Sequence, residues 1–209
     1  MIIRNFQAAD REAVRRLCCD TGFLGSPIDP VFEDRELFAD YLTRYYTDVE
    51  PEAAWVVEKE GVVRGYLLGS RRRFRQRYFD LLNNFRLLVK GVCRYPFYNA
   101  ASRKYVRWII TRAWREVPSS PTDAAHFHFN VMPDARSLGT VLQLTGRYFE
   151  FLRACGEKRV FGQIVAFENR RGSALFERYG FTVLNRAEVT KYRAVHHGKV
   201  FLCTVVKEL

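Results

Sequence analysis

The chain has 209 residues, of which 48% are apolar, enough for one well-buried core and too few for two complete domains. No apolar run approaches the roughly 20 residues that span a bilayer, and the opening Met-Ile-Ile-Arg runs into a polar turn rather than a targeting leader, so residues 1–209 are expected to form a single cytoplasmic domain without membrane contact. The formal net charge of +11 is concentrated, because residues 71–117 hold thirteen Lys and Arg against Asp80 and Glu116, while the remaining 21 basic and 21 acidic residues balance; a neutral domain thus carries a strongly basic insertion.

In chain order, residues 1–6 read as a short strand, and Asp10 is placed to cap a helix whose apolar positions Val14, Leu17 and Cys18 end at Gly22. After a loop with Gly25, Pro27 and Pro30, the positions Leu37, Phe38, Tyr41, Leu42 and Tyr45 mark a second amphipathic helix, finished before Pro51. Residues 54–58 and 62–68 are β-branched and aromatic runs joined by Lys59-Glu60-Gly61, an antiparallel hairpin with Gly supplying the positive φ. In the insertion, the apolar spacings of Tyr78, Leu81, Leu82, Phe85 and Leu88, then of Tyr105, Ile109 and Ala113, predict two helices broken around Pro96, with the aromatic side packed on the core.

Residues 126–132 alternate as a strand that ends at Pro133, ahead of a loop and a long helix through Leu138, Leu142, Phe149 and Leu152. Residues 160–166 form another strand. Asn169 caps a helix that Gly180 terminates, and residues 181–183 and 200–206 supply the last strands. The five cysteines are odd in number, scattered and without C-x-x-C spacing, so reduced structural thiols and no metal are expected.

Two segments carry a resemblance. Asn130-Val-Met-Pro-Asp-Ala-Arg-Ser-Leu-Gly-Thr-Val141 resembles the acyl-CoA-binding motif of the GCN5-related N-acetyltransferases, V-x-P-x-x-[RQ]-x-x-G-x-[GA], at Val131, Pro133, Arg136 and Gly139. Asn169-Arg-Arg-Gly-Ser-Ala-Leu-Phe-Glu-Arg-Tyr-Gly-Phe181 is similar to the family's N-x-x-[AS]-x-x-[LF]-Y-x-x-x-G-F element. The resemblance implies an α/β (α+β) acyl-CoA N-acyltransferase fold, a mixed, mainly antiparallel sheet flanked by helices, and acetyl-CoA as co-substrate. By position, the backbone at Val131 and nearby residues would pair with the pantetheine arm; Arg136, Ser137, Leu138, Gly139, Thr140 and Val141 would hold the pyrophosphate at a helix N-terminus; and Asn169, Ser173 and Phe176 would line the far side. There are two departures from the pattern. Val141 stands where the family has Gly or Ala, and Phe176 stands where it often has a tyrosine that protonates the departing thiolate.

Acetyl transfer to an amine needs a group that takes the amine proton. His126, His128 and Asn130 are two apart and share one face of their strand, beside the expected acetyl position. Paired histidines there resemble the arrangement in arylalkylamine acetyltransferases, and His-Phe-His-Phe-Asn-Val-Met-Pro is similar to the strand of acetyltransferase-like domains related to O-GlcNAcase. The expected proton acceptor is His128; the alternative is that both histidines are structural. The expected activity is transfer of acetyl from acetyl-CoA to a primary amine of a small molecule or protein, against a degenerate module that binds acyl-CoA or nucleic acid without turnover. For the insertion, with Arg71-Arg-Arg-Phe-Arg-Gln-Arg-Tyr78 at its head, three roles stand in order of preference: a solvated face, contact with substrate or the 3'-phosphate of CoA, and nucleic-acid binding. It also offers a lid or a homodimer contact.

Overall fold

The computed structural model describes residues 1–168 and 173–209. Seven strands form one sheet: β1 (Ile2–Asn5), β2 (Ala54–Lys59), β3 (Val62–Ser70), β4 (Ala125–Val131), β5 (Arg159–Phe167), β6 (Thr182–Glu188) and β7 (Val200–Glu208), in the order β1-β2-β3-β4-β5-β7-β6. All neighbours run antiparallel except β4 and β5. The β2–β3 hairpin turns through Glu60 and Gly61, both at positive φ (54° and 76°), the pair of left-handed residues that matches the twist of the flanking strands.

Alternation along each strand divides the core between the two faces of the sheet. Helices α1 (Arg11–Asp20) and α2 (Arg35–Asp48) cover one, burying Val14, Leu17, Phe38 and Tyr45 against Val56, Tyr66 and Leu68. Helix α6 (Leu138–Ala154) covers the other, packing Leu144, Tyr148, Phe149 and Leu152 on Trp55, Leu67, Phe127 and Val131. Leu138 and Leu142, expected on the inner face of this helix, are exposed; the buried stripe is displaced toward Thr140, Leu144 and Tyr148. A short helix, α7 (Ser173–Arg178), precedes β6.

The insertion forms α3 (Arg73–Arg94), a 3-10 turn through Pro96, α4 (Ala100–Thr111) and a final turn, α5 (Ala113–Glu116). It lies against α2. Asp34, which caps α2 by accepting from the Leu37 amide at 3.0 Å, also receives Arg94 at 3.0 Å and the Tyr98 hydroxyl at 2.5 Å. The aromatic side of α3, expected to pack on the core, faces outward. Helix α3 buries Gln76, Asn83 and Leu87 instead, because polar partners on α2 and the ion pairs Lys90–Glu36 and Arg94–Asp34 hold the opposite face down.

Candidate functional site: a fork in the sheet beside two half-buried histidines

Strands β4 and β5 pair only at their beginnings, Ala125↔Val160, His126↔Phe161 and Phe127↔Gly162. Beyond Phe127, β4 stays with β3 as far as Val131, and β5 stays with β7 as far as Phe167. The two therefore part into a fork that opens toward their C-terminal ends. Because the Met132 amide donates to the Arg64 carbonyl at 2.8 Å, the two-residue alternation of an antiparallel ladder turns the backbone groups of Phe129 and Val131 away from β3, into the fork. The Val131 carbonyl is taken, accepting from Arg136 Nε and Nη2 at 3.0 and 2.7 Å. That guanidinium thus fastens the loop to β4, and Phe129, not singled out from sequence, is the residue whose peptide groups line the fork.

Just past the strand, Ser137 caps α6 by accepting from the Thr140 amide at 3.0 Å. The Val141 amide donates to the Ser137 carbonyl at 3.1 Å. In the first turn this leaves the N–H groups of Leu138 and Gly139 pointing outward without helical acceptors. A Cβ on Gly139 would meet only Ser137 Oγ, at 3.7 Å, so the surface over the helix start is open. An open fork continued by a free helix N-terminus fits a long ligand with a phosphate-bearing end, as acetyl-CoA has. Val141 is half-buried and contributes no free amide. Asn169 and the side chain of Ser173 lie outside the described residues. Phe176 is buried with Ala166, Cys203 and Val205, so it serves the core beneath β5 and β7 rather than presenting a free face.

His126, His128 and Asn130 share the face under α2, as their spacing requires. Asn130 Nδ2 donates to the Tyr66 hydroxyl at 2.8 Å, a structural tie between β4 and β3. His126 Nδ1 lies 2.9 Å from the Tyr46 hydroxyl, which accepts from Gln76 Nε2 at 2.8 Å; Gln76 Oε1 in turn accepts from Arg73 Nη1 at 2.5 Å. One hydroxyl thus joins His126 to Gln76 and, through it, to Arg73. His128 Nε2 is buried with no hydrogen-bond partner among the described residues, and its ring lies edge-on to Tyr46 and Tyr66, with centroids 5.0 and 5.8 Å away. Arg73 Nε and His196 Nδ1 are the other buried side-chain atoms left unpaired among the described residues, and of the three His128 Nε2 is the one on the strand that borders the fork.

Burial pushes the His128 imidazole down to about 4, and burial, the neighbouring His128 and Arg73 hold His126 well below 6.5. Both are neutral at pH 7. As pH falls from 6.5 toward 4, the unfolded chain takes up protons that these rings refuse, so the stability present above 6.5 is lost, on the order of 3 kcal/mol for His128 at about 1.4 kcal/mol per pH unit. Asp80, pushed up to about 6 by burial against the opposing pull of Arg73, works in the other direction over part of this range. His128→Gln is therefore expected to flatten the fall in Tm between pH 7 and pH 5, as followed by circular dichroism.

The insertion and the β6–β7 connection close over the same face. Lys191 Nζ sits 5.6, 5.0 and 4.8 Å from the ring centroids of Tyr105, Trp108 and Tyr192, an aromatic cage for its charge. Glu116 binds Trp108 Nε1 at 2.6 Å and the Thr190 amide at 2.7 Å. Arg73 and Gln76, from the basic run, and Tyr46, which no sequence pattern singles out, are thus joined to His126 through contacts 3, 30 and 80 residues apart in the chain. Among the described residues no group of three His, Cys, Asp or Glu is arranged to hold a metal, and no helix is long and apolar enough to cross a membrane.

No family model matches the chain. Among solved structures, it is similar to SsHAT, with 21% identity, TM-score 0.63 and coverage of 99% of this chain and 97% of that one. It is also similar to YncA, a putative acetyltransferase of Salmonella typhimurium solved with its cofactor acetyl-CoA, with 17% identity, TM-score 0.56 and coverage of 100% and 93%. A GCN5-related N-acetyltransferase from Kribbella flavida matches at 15% identity and TM-score 0.56, over 100% and 97% of the two chains. With the forked seven-stranded sheet, these similarities establish that the chain has the fold of the GCN5-related N-acetyltransferases.

Proposed function

We propose that the protein is an acetyl-CoA-dependent N-acetyltransferase that acetylates a primary amine of a small molecule or protein by direct attack, with His128 as the proton acceptor. The observation that carries this reading is the unpaired, buried Nε2 of His128 at the fork between β4 and β5. Bound acetyl-CoA supplies an acetyl thioester. The peptide groups of Phe129 in the fork and the free N–H groups of Leu138 and Gly139 are placed to bind its arm and pyrophosphate. His128, kept neutral by burial, takes the proton that the amine sheds as its nitrogen bonds to the acetyl carbon and the carbon–sulfur bond breaks. Tyr46 fixes the His126 ring beside it.

A second reading rests on Phe176. Packed in the core without a hydroxyl, it leaves that position with no donor for the departing thiolate, which favours an acyl-CoA-binding module without turnover. Melting temperature measured against increasing acetyl-CoA, with desulfo-CoA and ATP as controls, tests the cofactor: a saturable rise restricted to the CoA forms is expected by mass action, about 2.7 kcal/mol at 100 times Kd. No shift up to millimolar concentration overturns both readings. Thiol release with a panel of amines then separates turnover from binding alone.

A further inference from the structure

The outer face of α3 carries apolar residues at Phe74, Tyr78, Leu81, Phe85, Leu88 and Val92, alternately four and three apart, the spacing of a two-helix seam. All six are exposed, Phe74 to 83% and Phe85 to 70%. With the flanking Leu82 and Val89 they present on the order of 900 Å² of apolar surface, given that an aromatic side chain alone offers about 150–250 Å². That exceeds the roughly 300–600 Å² patch of an ordinary monomer and reaches the roughly 800 Å² each partner contributes to a stable interface.

We propose that α3 pairs with α3 of a second copy of this chain in an antiparallel two-helix seam whose two-fold axis passes near Asn83. The six positions lie symmetrically about Asn83, so in that register Phe74 meets the partner's Val92, Tyr78 meets the partner's Leu88 and Leu81 meets the partner's Phe85. Each layer sets a large side chain against a smaller one, as close packing requires. A parallel pairing would set Phe74, Tyr78 and Phe85 each against its own copy.

Charge chooses the same orientation. Arg71 and Arg72 pair with Glu157 and Glu52 and Arg73 turns to Gln76, but Arg75 and Arg77 flank the stripe at the N-terminal end of α3, and parallel helices would bring two such pairs together. Antiparallel, Arg75 and Arg77 flank the partner's Val89 and Gly91, near the negative end of the other helix dipole. Gly91, inside the helix with nothing within 4 Å of a Cβ built on it, costs about 1 kcal/mol of helix propensity relative to Ala; in the seam it lets the partner's Arg77 stem approach.

The C-terminal cations do not serve as a rim for an anionic surface. Arg86, Lys90 and Arg94 are turned toward α2 and paired with Asp40, Glu36 and Asp34. The stripe is flanked there by Leu82, Asn84, Val89 and Gly91, whereas a helix lying on a membrane carries its cations beside the apolar face along its length.

Sedimentation of the full-length protein at micromolar concentration, with vesicle flotation, tests the seam. The expected result is a dimer whose dissociation constant rises at least about 100-fold in Leu81→Glu, which sets charge into the centre twice, while the far-ultraviolet spectrum is unchanged because Leu81 is exposed in the protomer. In a Cys93→Ser background, Asn84→Cys is expected to cross-link to itself across the axis on mild oxidation; failure to do so while Leu81→Glu dissociates the dimer overturns the antiparallel register. A monomer at all concentrations, a dimer indifferent to Leu81→Glu, or a monomer that floats with phosphatidylserine vesicles overturns the proposal, the last in favour of a membrane surface.

Discussion

Replacing His128 by glutamine is expected to slow acetyl transfer by about 10²- to 10⁴-fold while leaving the acetyl-CoA-induced rise in Tm intact, because a positioned proton acceptor contributes a factor of that size and does not hold the cofactor. In the proposed mechanism the neutral state is the working one. An imidazole already protonated at pH 7 could take no proton, and the burial that pushes His128 down to about 4 keeps it free. Its low basicity limits it to accepting a proton while the nitrogen–carbon bond forms, rather than stripping a free ammonium group beforehand, so the rate should rise with pH as the amine itself deprotonates. Glutamine can accept a hydrogen bond there but cannot carry the proton away. The loss should therefore fall on kcat, with KM for acetyl-CoA unchanged. His126→Gln is expected to cost less, about 10-fold, since Nδ1 of His126 is already engaged by Tyr46 and the ring acts by position. Full activity of His128→Gln from pH 6 to 9 would remove the catalytic role.

Much of this arrangement was legible where the physics is local. The alternation of His-Phe-His-Phe-Asn-Val fixes which side chains share a face, and β4 indeed turns His126, His128 and Asn130 toward α2 and Phe127 and Val131 toward α6. Ser137 stands at the start of α6 as its cap, within the resembling segment. Legibility failed where a helix has two candidate faces. In α6 the pattern through Leu138 and Leu142 competes with that through Leu144 and Tyr148, and only the neighbouring strands decide between them. In α3 the apolar stripe predicts a core-facing side, yet Gln76 and Asn83 are buried with Leu87, because Tyr46 and Arg44 of α2 hydrogen-bond to the two amides. The chain of contacts from Arg73 through Gln76 and Tyr46 to His126 crosses three elements, and no local spacing announces it.

Gly69→Ala is expected to be among the most damaging single-methyl changes at the described glycines, costing about 3 kcal/mol or more and lowering Tm by roughly 6–12 °C for a chain of this size. The need for glycine here is tertiary. A Cβ at this position would overlap the Tyr148 ring and hydroxyl. That ring has no room to yield, being fully buried among Trp55, Phe127, Phe149 and Phe151. Its hydroxyl also donates to the His126 carbonyl at 2.7 Å. Moving Tyr148 therefore breaks a buried hydrogen bond and shifts the strand that carries both histidines, so acetyl transfer should fall together with Tm. Tyr148→Phe in the Gly69→Ala background removes the overlapping hydroxyl at the expense of that bond and should recover only part of the loss. A double-mutant cycle followed by thermal melts measures the coupling, expected at 1 kcal/mol or more; additive effects would mean that the ring rather than the hydroxyl sets the clash.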